Sequence, residues 1–209
     1  MMSCLWKTLD GRMATCRTGF RWEVGKWYKS DKESDLSDDG FCGSENIIYA
    51  MEHIAPVYLA KVEVRGKRYK TRGWSMHDGG PAYNKQMWPE MRIIKAWEWR
   101  KDDSIALAIF AAGLCQESLE QNKDEAWRSF FIDSLVRALK YAKVAAEAHP
   151  TSEREATTAA VNSAWLAAGK TDQGKKMYLR YIEVLQKCHS SILRRINEGK
   201  MVEVKGATR

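Results

Sequence analysis

The chain has 209 residues, and its 34 Lys and Arg residues against 27 Asp and Glu residues leave a formal charge of +7 at pH 7. A hydrophobic content of 44% and a charged content of 29% are ordinary for a folded soluble protein. No apolar run approaches the roughly 18 residues of a membrane span, and the charged N-terminal stretch lacks the apolar core of a secretory signal. We therefore expect a soluble cytoplasmic protein without a membrane partner.

The cysteines are scattered and odd in number: Cys4, Cys16, Cys42, Cys115 and Cys188. They show neither C-x-x-C nor C-x-x-H spacing, so the sequence predicts neither a disulfide framework nor a zinc site. Reduced thiols in a cytosolic compartment fit this usage. The nine tryptophans favour core packing, and stacking on a flat partner such as a base is the alternative.

Residues 1–100 carry the patterns of strands and turns. In the segments 19–28 and 57–72, apolar or aromatic residues alternate with polar ones, which predicts half-buried strands. The segment 91–99 has an apolar centre and predicts a further strand. One helix is predicted over 45–53, with Ser44 as its N-cap. Residues 73–90 contain Gly-Gly-Pro and predict a long loop.

After residue 100 the apolar period becomes helical. Segments 102–121, 124–149, 151–170 and 172–199 predict a bundle of about four helices joined by short connections. The last segment has an apolar stripe that includes Cys188 and ends at Gly199. The predicted fold is therefore α+β. It comprises a mixed β-sheet domain with one short helix at 1–100, a helical bundle at 101–199 and a loosely held tail at 200–209.

A run of cations in the strand 57–72 is the strongest binding signal. The candidate partner-binding residues are Lys61, Arg65, Lys67, Arg68, Tyr69, Arg72 and Trp74. Alternation places Lys61 and Arg65 on the solvent side, where they would contact phosphates or an acidic surface. The alternative is an edge strand whose Lys and Arg residues block pairing with another chain.

Other polar groups give weaker signals. His77 and Asp78 are neighbours in the predicted loop, where such a pair would serve acid–base chemistry, but adjacent loop residues commonly point apart. Cys188 and His189 diverge by about 100° on a helix, so they cannot form a nucleophile–base pair by themselves. Cys188 falls on the apolar stripe of its helix and is therefore predicted to lie in the core. No acidic segment has the spacing of a calcium loop.

Four motifs from residue 20 to residue 99 occur in a fixed order: W-E-V-G-K-W-Y, D-D-G-F-C-G-S-E-N, Y-L-A-K-V-E-V-R-G and M-R-I-I-K. They resemble a small domain of unknown function that recurs in bacteriophage and bacterial genes. The strand–Ser–helix–strand order also resembles the middle of ADP-ribosyltransferase folds. That resemblance implies an NAD pocket at Cys42, Ser44 and His77, with Cys42 where the related domain has histidine.

Three functional hypotheses follow. The first is a phage or prophage accessory protein without a cofactor, which binds a host defence protein or ribonucleoprotein such as a CRISPR effector and inhibits it by steric occlusion. It would act in the cytoplasm of the bacterial host. The second is an ADP-ribosyltransferase-like enzyme that uses NAD, and the third is a nucleic-acid-binding protein. The complete acid and histidine set of the transferases is not evident, so binding is favoured over catalysis, and no catalytic residue or metal ligand is assigned.

Overall fold

The computed structural model describes residues 4–15, 20–30, 41–51, 57–69, 85–121, 125–147, 160 and 174–204. The chain divides into two compact units, one formed by Met1–Glu98 with Val202–Arg209 and the other by Trp99–Met201. The first unit holds a six-stranded sheet and a short helix, and the second holds long helices. The predicted α+β class is therefore confirmed.

The sheet consists of antiparallel neighbours throughout. Its strands are β1 (Cys4–Leu9), β2 (Trp27–Lys29), β3 (Phe41–Ser44), β4 (Tyr58–Arg65), β5 (Lys85–Trp88) and β6 (Glu90–Glu98), and the short helix is α1 (Ile47–Met51). The strand order is β2-β6-β4-β1-β3-β5. Only Pro89 separates the edge strand β5 from β6, although three other strands lie between them in the sheet. The sheet must therefore curve until its β5 edge approaches β6.

The concave side of this sheet holds the apolar core. Alternate residues of β1, β4 and β6 meet there and pack with Trp22, and this cluster consists of Leu5, Leu9, Trp22, Ala60, Val62, Val64, Met91, Ile93 and Ala96. Phe41 of β3 and Trp88 of β5 pack against the same cluster, as the curvature requires. The opposite side of β1 supports α1, because the Thr8 hydroxyl donates a hydrogen bond to the Ala50 carbonyl at 2.8 Å.

A bulge in β6 keeps this core continuous. Val62 of β4 pairs with Ile93, but Lys61 pairs with Lys95, so Ile94 is an extra residue in β6. Without the extra residue, Ile93 and Ala96 would point to opposite faces of the sheet. Both are fully buried in the core.

Three strands depart from the sequence-based expectations. Residues 85–88 were expected to belong to a long loop, yet they form β5 and pair with β3. β1 has no alternating pattern and was not predicted, because it is an inner strand with five consecutive buried residues. The prediction of a strand over 19–28 is correct only for its end, since β2 begins at Trp27 after Gly25, which has a φ of +88°.

The tail also differs from its expectation. Val204 donates its N–H to the Ala96 carbonyl at 2.8 Å, and Glu98 donates to the Val202 carbonyl at 2.9 Å. Residues 202–204 therefore lie beside the second half of β6, whereas β2 pairs with its first half. Hydrogen bonds hold this part of the predicted loose tail in the sheet unit.

The helical unit contains α2 (Lys101–Gln121), α3 (Glu125–Glu147) and α4 (Gly174–Asn197) among the described residues. The predicted stripe of α4 is buried at Leu185, Cys188 and Ile192, which confirms Cys188 as a core residue. Gly199, with a φ of +68°, follows α4 as the glycine signal predicts. Among these helices, none is long and apolar enough to cross a membrane.

A buried ion pair joins α2 to α4. Asp103 lies in the first turn of α2 with its side chain only 3% exposed, and its carboxylate accepts a hydrogen bond from the Arg195 guanidinium at 2.6 Å. The other carboxylate oxygen accepts the Arg100 N–H at 2.9 Å. Asp103 therefore caps the start of α2 and also holds the last turn of α4.

We expect Asp103→Ala to lower the free energy of unfolding by about 3 kcal/mol, because it leaves the Arg195 charge unpaired and the Arg100 N–H without its cap. Chemical denaturation monitored by the circular dichroism of the helices measures this loss. Asp133→Ala removes an exposed pair with Arg137 on α3 and is the matched control, with an expected change below about 0.5 kcal/mol. Equal effects of the two substitutions would contradict the role given to Asp103.

The helical unit also contains a buried histidine. Burial lowers the pKa of His189 below its ordinary value of 6.5, because the imidazolium would lose hydration. In the unfolded chain the histidine accepts a proton near pH 6.5, before the folded state does. The stabilising contribution of neutral His189 is therefore complete above pH 6.5 and is lost as the pH falls through the lowered folded value.

We accordingly expect the melting temperature of the wild type to fall more steeply than that of His189→Gln as the pH decreases from about 8 to about 5. Glutamine keeps hydrogen-bonding atoms at this position but does not titrate. Thermal melts in matched buffers give the difference between the two proteins at each pH. Parallel melting curves across this range would show that His189 makes no contribution to the pH dependence.

Candidate binding surface

Cross-strand register assembles a charged surface on the convex side of the sheet. Trp27 of β2, Arg92 of β6 and Glu63 of β4 lie opposite one another in one row. Lys29, Glu90 and Arg65 form the next row on the same side, because each lies two residues further along its strand. We call Trp27, Arg92, Glu63, Glu90 and Arg65 the Trp27 surface.

Two arginines of this surface are fixed by carboxylates. Arg92 contacts one oxygen of Glu63 through Nη2 at 2.6 Å and through Nε at 2.7 Å. Arg65 donates its Nε–H to Glu90. The guanidinium carbon of Arg92 lies 5.0 Å from the centre of the Trp27 ring, and that of Arg65 lies 4.1 Å from it. Both arginines are thus positioned by an ion pair and a cation–π contact at once.

A further ion pair neutralises Lys26, the residue that precedes Trp27 in the chain. Its ammonium lies 2.7 Å from the Glu23 carboxylate, and the Tyr28 hydroxyl donates to the same oxygen at 3.2 Å. The hydrogen bond from Lys26 lowers the pKa of Glu23, and the same bond raises the pKa of Lys26. Partial burial raises the pKa of Tyr28, so all three groups keep their usual protonation states near neutral pH.

A separate set of cations around the Trp27 surface has no acidic partner among the described residues: Lys29, Lys61, Lys67 and Arg68. Lys67 and Arg68 are exposed and follow the end of β4, and Lys29 is exposed on β2. These four cations give the sheet unit a local positive field at this place.

Gly66 determines the path of the chain after β4. Its φ is +93°, a conformation that residues with a Cβ rarely adopt. A Cβ at this position would also lie 2.5 Å from Cγ of Pro89. Tyr69 then donates its N–H to the Met87 carbonyl of β5 at 3.0 Å. Lys67 and Arg68 thus lie in a short turn that is fixed at both ends, which we call the basic turn (residues 66–69).

The structure brings most of the predicted partner-binding residues together. Lys61, Arg65, Lys67, Arg68 and Tyr69 lie on β4 or in the basic turn, whereas Arg72 and Trp74 lie outside the described residues. The edge-strand alternative for this segment is wrong, because β4 lies between β6 and β1. Lys61 lies on the same side of the sheet as Glu63 and Arg65, as alternation predicts, but it is half-buried. Tyr69 is also half-buried.

The residues implied for an NAD pocket lie elsewhere in the sheet unit. Cys42 is in β3, where its carbonyl accepts a hydrogen bond from Lys7 Nζ at 3.0 Å, and Ser44 is the last residue of β3 with 3% exposure. His77 is outside the described residues. Ser44 is not the helix cap that was expected, because Asn46 accepts the Ile48 N–H at 2.8 Å and occupies that position.

Sequence reasoning missed Trp27 and Arg92 as members of the Trp27 surface and Lys29 as a cation beside it. Each belongs to a strand far along the chain from β4, and only the pairing of β6 with both β2 and β4 makes them neighbours. The alternation of Glu90 and Arg92 with apolar Met91 and Ile93 is the sequence signal from which a charged face of this strand could have been found.

The surface and its surroundings offer fixed guanidinium groups, an aromatic ring and ammonium groups without an acidic partner in the described part of the chain, which suit the binding of an anionic partner. Among the described residues, no group of three or more His, Cys, Asp and Glu side chains is placed to hold a metal ion. Comparison with known proteins found no matching family model, no matching curated protein and no matching solved structure.

We expect Gly66→Ala to destabilise the sheet unit by about 1–3 kcal/mol, because alanine is strained at this φ and its Cβ meets Pro89. Thermal denaturation of the purified variant measures the effect. Gly113→Ala on α2 is the control, since nothing lies within 4 Å of the added Cβ. An unchanged stability of Gly66→Ala would mean that the basic turn is not held in this conformation.

Proposed function

We propose that this chain is a phage or prophage accessory protein that works by binding, and that it inhibits a host defence protein or ribonucleoprotein, such as a CRISPR effector, by steric occlusion in the bacterial cytoplasm. The observation that carries the proposal is the cluster of unpaired cations beside the Trp27 surface. The ordered motifs that resemble a phage-associated domain support the biological setting.

The geometry of the surface supports a binding role in physical terms. Ion pairs and the Trp27 contacts already hold Arg65 and Arg92, so a partner that docks against them causes little further loss of side-chain freedom. The basic turn is fixed by Gly66 and by the Tyr69–Met87 hydrogen bond. A rigid surface with exposed cations beside it favours the binding of an anionic partner and fast association with that partner.

A pull-down from a bacterial host lysate, followed by an inhibition assay, tests the proposal. The tagged wild-type chain is expected to recover a stoichiometric defence complex and to reduce the activity of that complex at least about tenfold, which corresponds to about 1.4 kcal/mol of coupling. Lys67→Glu/Arg68→Glu reverses both exposed charges of the basic turn and is expected to abolish capture and inhibition.

The matched control is Lys140→Glu/Lys143→Glu, which makes the same change in net charge on the exposed face of α3. It is expected to behave as the wild type. Failure to recover any stoichiometric partner, or recovery of a complex whose activity the chain leaves intact, would overturn the proposed function. An equal loss of capture in both double variants would assign the effect to net charge and not to the basic turn.

A further inference from the structure

The unpaired cations differ in kind from the arginines that they surround. Three of the four are lysines, and the planar groups of Arg65 and Arg92 are already engaged by Glu90 and Glu63. Lysine is depleted at the cores of protein–protein interfaces, where its strongly hydrated ammonium group would have to lose water. It is well suited to point-charge contacts with phosphates, in interfaces that stay polar and wet.

The spacing of these cations also fits a phosphate backbone. Lys61 lies four residues before the end of β4, where the basic turn with Lys67 and Arg68 begins, and this corresponds to about 13 Å along the strand. Each strand of a duplex carries one phosphate per about 3.4 Å of helix axis, so this length corresponds to about four phosphates. Lys29 lies two strands away from β4, about 10 Å across the sheet, and the basic turn extends the patch past the end of β4.

We propose that the ligand of this surface is the sugar–phosphate backbone of a nucleic-acid duplex, contacted by Lys29, Lys61, Lys67 and Arg68 without reading of the base sequence. This inference rests on the proposed function, because it names the chemistry of the partner at the same surface. Arg65 and Arg92 are positioning residues, because Glu90 and Glu63 neutralise their charges. Cation–π contacts with Trp27 keep their guanidinium groups in place.

Contacts with phosphates make the binding constant depend on salt concentration in a predictable way. Each phosphate contact releases condensed counterions, so the logarithm of the binding constant falls with that of the salt concentration by about 0.9 per contact. Contacts from the four unpaired cations give a slope of about −4, whereas the participation of Arg65 and Arg92 would give about −5. The salt dependence therefore separates contacting cations from positioning ones.

Fluorescence anisotropy with labelled duplex DNA and duplex RNA of equal length, in salt from about 50 to about 200 mM, tests this. The full-length wild type is expected to bind duplexes of unrelated sequence equally, with the slope given above. Lys67→Ala/Arg68→Ala is expected to reduce the magnitude of the slope by about 2. Lys140→Ala/Lys143→Ala on α3 is the control and is expected to leave the slope unchanged.

Three outcomes would overturn the inference: no binding of either duplex at the lowest salt, a slope that the basic-turn variant leaves unchanged, or an equal loss in the α3 control. If the duplexes do not bind but Lys67→Glu/Arg68→Glu still prevents capture of the defence complex, the proposed function holds and the ligand is an acidic protein surface. If the duplexes bind and no defence complex is captured, the contact with the sugar–phosphate backbone is supported and the proposed inhibition by steric occlusion is contradicted.

Discussion

The hydrogen bonds of β6 are the constraint on which the sheet unit depends. This strand pairs with β4 along one side, and β2 and residues 202–204 share its other side. The bulge at Ile94 keeps both Ile93 and Ala96 in the core, which a regular strand could not do. The same register places Arg92 between Trp27 and Glu63, so one strand builds the core on one face and the charged surface on the other. A slip of one residue would bury Arg92 and expose Ile93.

This arrangement divides the cations into two groups with different physical roles. Arg65 and Arg92 are neutralised by carboxylates and stacked near Trp27, so they add order to the surface but little net field. Lys67 and Arg68 retain their charge in a turn whose conformation Gly66 fixes. A surface ion pair alone contributes little to stability, but here it keeps the two arginine side chains in one conformation beside the exposed charges.

Local pattern explains why some elements were predictable and others were not. β4 from Val62 onward and β6 up to Ile93 have one buried face, so their alternation appears in the sequence. α4 shows its buried stripe through Leu185 and Cys188. β1 is buried on both faces and includes Lys7, whose ammonium group donates to the Cys42 carbonyl, so neither alternation nor hydropathy marks it. The basic turn was predictable from its cations alone. Trp27 and Arg92 were not, because their proximity to β4 arises from pairing between distant segments.

The course of the chain between the two units has a consequence for folding. The chain leaves the sheet at Glu98 and returns at Val202, and these two residues are joined by a backbone hydrogen bond of 2.9 Å. Residues 99–201 are thus inserted between β6 and the segment that pairs with its second half. During synthesis this half of β6 keeps unpaired N–H and C=O groups until the whole helical unit has been made. An uncovered strand edge of this kind is a site for pairing with another chain. Lys95 forms its ion pair with Glu203 only after residues 202–204 have joined the sheet, so until then its unpaired charge lies at this edge and disfavours such pairing.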